Sequence, residues 1–163
     1  MGRILLSLLD MLRLRSGPQD LPAGGAATLV LVALYVSGGF LAGSVLGEPD
    51  YAPQSLLTIG VQFAVIAVLL RTRGFAARIL QTIGALAGTG FLLGLASIYL
   101  LSLIDTSAPQ AGLVGLYFGL FIWSLAVDGH IYRHALSSNM GTGVLVAVGI
   151  FAVNFMLIRT LFG

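Results

Sequence analysis

Apolar stretches long enough to cross a bilayer dominate this chain, and its few charges fall almost wholly between them. Seven of the eight arginines sit in three places: Arg3, Arg13 and Arg15; Arg71, Arg73 and Arg78; and Arg133. The intervening polar turns carry only acids, Glu48 and Asp50 in one and Asp105 in the other. Arginine beside a span resists translocation, so such clusters stay on the cytoplasmic side of a membrane. The alternation therefore constrains both the crossings and their direction.

Composition agrees. The 163 residues are 58% apolar and 9% charged, with a mean hydropathy of +1.02. A water-soluble domain carries about a quarter charged residues. This chain has too few to coat itself against water. Its net charge is only +2, and no basic run interleaved with aromatics offers a grip on nucleic acid. Cysteine is absent, which excludes disulfides, thiol catalysis and thiolate metal sites.

The pattern predicts an all-α polytopic membrane bundle: five transmembrane helices preceded by an amphipathic interfacial helix. Residues 1–22 form the N-terminal unit and residues 23–163 the transmembrane domain. Within residues 1–15, Ile4, Leu5, Leu8, Met11 and Leu12 recur at helical spacing, while Arg3, Ser7 and Asp10 share another face. Such a helix suits the membrane surface. Asp10 interrupts its apolar run and no small-residue cleavage site follows, which argues against a cleaved signal peptide. Gly17-Pro18 and Pro22 break the helix across residues 16–22.

Spans are expected at residues 25–46, 54–70, 76–104, 111–135 and 144–161. Gly47-Glu48-Pro49-Asp50 ends the first. Pro53 starts the second, where its missing N–H costs nothing. That second span covers about 26 Å, a little short of a hydrocarbon core of about 30 Å. The third is longer than a perpendicular crossing needs, so it tilts or projects. The fourth turns polar after Val127 and continues as an amphipathic extension. An odd number of spans places the N-terminus in the cytoplasm and the C-terminus outside, with only Arg159 on the outer side.

Helices in lipid associate through close packing and a few hydrogen bonds. Gly39 with Gly43, Gly43 with Gly47, Gly84 with Gly88, Gly90 with Gly94, and Gly115 with Gly119 are each four apart. They are expected to pack helix on helix, most tightly between the first and third spans, or to mediate self-association. Gln62, Gln81 and Asn154 lie within spans. Their amides are expected to bond between helices, worth about 0.6 kcal/mol each, or to contact a substrate.

The one dense polar constellation is Asp128, His130, Tyr132, Arg133, His134 and Asn139. His130 and His134 share a helical face, a spacing that can hold a metal. Asp128 points about 160° away from His130 and makes a poor third ligand, so no metal or other cofactor is expected. Asp128 is expected at the interface, paired with Arg133, Arg71, Arg73 or Arg78. Trp123, Tyr99 and Tyr117 suit packing or interface anchoring. There is no HExxH, no glycine-rich phosphate loop ending in lysine and no nucleophile elbow. An enzyme is not expected.

The stretch Trp123-Ser-Leu-Ala-Val-Asp-Gly-His-Ile-Tyr-Arg-His-Ala-Leu, the polar turn after it and Gly143-Val-Leu-Val-Ala-Val resemble the fourth-to-fifth span region of the Yip family and its bacterial relatives. Leu14-Arg-Ser-Gly-Pro-Gln-Asp-Leu-Pro resembles the entry to the first span in small bacterial inner-membrane proteins. The resemblance implies a five-span inner-membrane protein without catalytic residues. Eukaryotic members serve vesicle traffic and small GTPases through a longer cytosolic arm, so that role is not expected here. The resulting expectation is a non-enzymatic scaffold or accessory subunit acting through the lipid bilayer, a membrane-protein partner or a homo-oligomer. The alternatives are a small transporter or channel, and a lipid-modifying enzyme using His130 or His134. A topology reporter fused at Gly163 is expected to read outside the cytoplasm, and a cytoplasmic signal overturns the orientation.

Overall fold

Helix boundaries follow from residues that can leave helical geometry or satisfy the free backbone groups at helix ends. The computed structural model describes residues 2–48, 50–104 and 110–163. Among these, all regular structure is helical: α1 (Gly2–Leu12), α2 (Gly25–Leu46), α3 (Tyr51–Thr72), α4 (Ile79–Leu103), α5 (Ala111–Ala135) and α6 (Met140–Leu161), with 3₁₀ turns at Pro18–Asp20 and Ala76–Arg78. The five helices after α1, counting α4 with the turn before it, are long and apolar enough to cross a membrane. Pro49 and Asp105 lie outside the described residues.

Two boundaries differ from expectation. The second span begins at Tyr51 and puts Pro53 at its third position, still within the first turn, where no intrahelical N–H is needed. Its 22 residues give about 33 Å, so the expected shortfall disappears. The last span starts at Met140 rather than near Val144. Asn139 caps it: its Oδ1 accepts the Thr142 amide at 2.8 Å, the usual service of an asparagine N-cap. Gly47, at φ 69°, closes α2 in the left-handed conformation, which glycine adopts without a steric penalty.

α2 packs most extensively on α4, and α5 on α6. On the α2–α4 side, a Cβ at Gly84 would lie 3.2 Å from Thr28 Oγ1, and one at Gly90 2.8 Å from the Tyr35 ring. Gly39 lets α2 approach Ser55 of α3, and Gly43 sits against Tyr51 and Ala52. The closest approach is one that spacing along the chain missed. A Cβ on Gly143 of α6 would fall on the Gly129 carbonyl oxygen of α5. Gly94, Gly115 and Gly119 depart from expectation: a Cβ at any of them meets nothing within 4 Å. They border open space rather than a neighbouring helix.

The N-terminal unit is built into the bundle. Leu8, Met11 and Leu21 are buried in the same core cluster as Ile66, Leu70, Leu86 and Ile131. Leu14 takes a left-handed conformation, φ 59°, and turns the chain back so that residues 15–21 run across α4 and α5. Gly88, expected to pack span on span, instead seats α1: a Cβ there would lie 2.5 Å from Leu8 Cδ2. Burial is densest where this unit covers α4 and α5, around Gly84–Thr89 and Val127–Tyr132. Toward the far end, Leu95, Tyr99, Leu116, Phe118 and Ile122 are exposed.

Gly88→Ile forces Leu8 out of its seat, an overpacking that costs about 1–3 kcal/mol. Thermal melting in detergent is expected to fall for Gly88→Ile and to stay unchanged for Gly115→Ile. Equal melting of the two variants contradicts the seat.

Candidate functional site

The polar constellation on α5 divides between two faces of one helix. The side chains of Asp128 and Tyr132, four apart, reach Gln62 of α3. Gln62 Nε2 donates to Asp128 Oδ2 at 3.1 Å and to the Tyr132 hydroxyl at 3.0 Å. This corrects the expected pairing of Asp128 with arginine: among the described residues no arginine pairs with it. Arg78 is engaged elsewhere. Its Nη1 donates to the His134 and Ala135 carbonyls at 3.3 and 3.0 Å and to Ser137 Oγ at 2.7 Å. The cation thus sits on the carbonyl end of α5, where the helix dipole favours it.

The other face of α5 holds the N-terminal unit. His130 and His134 stack edge to face at 4.7 Å, as their spacing predicts. His130 Nε2 donates to the Ser16 carbonyl at 2.9 Å. Arg133 Nη2 lies 3.3 Å from His134 Nε2. About two turns before His130, Trp123 Nε1 donates to the Leu12 carbonyl at 3.1 Å. Gln81 of α4 completes the set by donating to the Leu21 carbonyl at 2.9 Å. The two segments that carried the family resemblance, around Ser16 and around His130, therefore touch.

The remaining intramembrane amide stands apart. Asn154 is buried on α6, and its Oδ1 has no hydrogen-bond partner. Gln62, Gln81 and Asn154 thus do not form one path. Only Gln62 meets Asp128.

Above this pair the bundle is hollow. An inner chamber of about 180 Å³ is bounded by Tyr35, Leu86, Gly90, Leu93, Gly94, Ser97, Ser124 and Asp128. Tyr35, Gly90, Gly94 and Ser97 also border a second chamber of about 300 Å³, as partly open as the first, which reaches Tyr51, Gln54, Ser55, Thr58, Leu101 and Tyr117. Along α4 the lining runs from Leu86 to Leu101, about 22 Å of helix. The hollow extends toward the acidic end of the bundle, where exposed Glu48 and Asp50 lie. At the other end the Leu8, Met11, Ile66, Leu70 and Ile131 cluster fills the bundle.

Tyr35, Ser97 and Ser124 escaped the sequence reading as site residues. One signal was present: Gly90, Gly94 and Ser97 follow helical spacing, and small or polar residues on one face of a span mark a close contact or a hollow. Comparison with protein-family models, curated proteins and solved structures found no match, so the site rests on its own geometry.

Gln62→Leu leaves the Asp128 carboxyl without its donor and is expected to destabilise the protein by about 1–3 kcal/mol. The double variant Gln62→Leu/Asp128→Leu is expected to recover part of that loss. A thermal-melting double-mutant cycle that shows strict additivity contradicts the pair.

Proposed function

We propose that this chain is a non-enzymatic integral membrane protein, Yip-like in layout, that works as a scaffold or accessory subunit in a bacterial inner membrane. One observation carries the reading. The end of the bundle that receives the N-terminal unit is packed with Leu8, Met11, Leu21, Val127 and Ile131, while Arg3, Arg13, Arg15, Arg71 and Arg73 are exposed with no ion pair among the described residues. A basic face over an apolar, packed centre suits docking better than passage.

In this reading α1 lies at the cytoplasmic interface. Its exposed Leu5, Leu6 and Leu9 enter the headgroup boundary, and the arginines hold anionic lipid at about 1 kcal/mol each. The N-terminus is cytoplasmic, and the face so anchored is presented to a membrane-protein partner. A transporter needs Gln62, Gln81, Asn154 and Asp128 on one path. Two of the four converge, at a blind end.

Affinity purification from native membranes, with a tag at the C-terminus, is expected to recover a membrane-protein partner in fixed ratio. Arg71→Glu/Arg73→Glu is expected to weaken that recovery. Solute flux across proteoliposomes that requires this chain alone would overturn the scaffold reading in favour of transport.

A further inference from the structure

We infer that the hollow between α2, α3, α4 and α5 is a binding site for a small organic ammonium ion, entered from the acidic end and closed on Asp128. The inference is independent of the scaffold reading, because none of the docking-face arginines lines the hollow.

The chemistry of the lining selects the ligand class. A carboxyl group inside a span is costly and is held there by a partner or by a function. Asp128 has one amide donor, Gln62 Nε2, and among the described residues no counter-cation. It is only partly buried and lines the inner chamber. No arginine borders either chamber. Every polar group that does is a carboxyl, a hydroxyl or an amide: Asp128, Ser97, Ser124, Ser55, Thr58, Gln54 and three tyrosines. An anion would meet no positive charge there.

Size and coordination separate an ammonium from a bare metal ion. A hard metal ion sheds water only for several oxygen ligands at short range, and the inner chamber offers one carboxyl group with scattered hydroxyls. Its volume of about 180 Å³ is far above the minimum for one water, room for a quaternary ammonium of a few heavy atoms. Such a cation needs one counter-charge and an aromatic wall. Tyr35 stands in both chambers, with Tyr51, Tyr117 and Phe91 lining the approach. Exposed Glu48 and Asp50 raise the local cation concentration at the entrance.

Gly94 provides a way to fill the hollow without disturbing its walls. It borders both chambers, and a Cβ there meets nothing within 4 Å. The test is thermal melting in lipid nanodiscs while tetramethylammonium chloride replaces sodium chloride at constant ionic strength. Ligand bound only to the folded state raises the melting temperature. A saturable rise is expected for the wild type, with loss of that rise in Asp128→Asn and in Gly94→Leu. No change in the wild type on replacing sodium overturns the inference, and so does an equal rise in wild type and Gly94→Leu. The Gly94→Leu arm keeps the test decisive should Asp128→Asn fail to fold.

Discussion

Three backbone carbonyls of the N-terminal unit organise this molecule. Leu12, Ser16 and Leu21 each offer an oxygen that the preceding helix or turn leaves free, and Trp123, His130 and Gln81 each supply the N–H that takes it. The Ser16 and Leu21 bonds are partly buried, and a backbone carbonyl removed from water must find a donor. Here the donors come from two spans, so satisfying the strap also fixes α4 against α5. Leu8 and Met11 can then enter the core, and a pocket of about 220 Å³ remains beside the strap between Pro18, Gln81 and His134.

This arrangement explains which parts of the fold were legible in the sequence. The spans were, because twenty apolar residues between charged turns leave few alternatives. The donors were conspicuous too, since glutamine, histidine and tryptophan stand out in a glycine- and leucine-rich chain. Their acceptors were invisible: every residue carries a carbonyl, and no side chain marks the one that will be used. Gly129 and Gly143 show the same limit in packing. Spacing within one helix reports a face but not the helix that meets it, and the tightest contact joined glycines from two different helices. Gly88 was read as a span contact for that reason and proved to be the seat of Leu8.

Asp128 shows how helical geometry overrides charge pairing. Arginines cluster near the same end of the chain's spans, so an ion pair was the natural expectation. But α5 turns about 100° per residue, and with His130 facing the strap, Asp128 faces α3. What it finds there is Gln62. The neutral partner leaves the carboxyl group available to whatever enters the hollow, as an arginine would not have done.

The strap also imposes an order on synthesis. Leu12 and Ser16 leave the ribosome near the beginning of the chain, yet their donors Trp123 and His130 follow 111 and 114 residues later. Leu8 can take its seat on Gly88 once α4 is made, but two of the three donors to the strap are absent until α5 has followed. At about 5–20 residues per second of synthesis, that wait lasts several seconds or more. The strap made first is thus among the last parts to be fastened, and a chain without its fourth span leaves the Leu12 and Ser16 carbonyls without their donors.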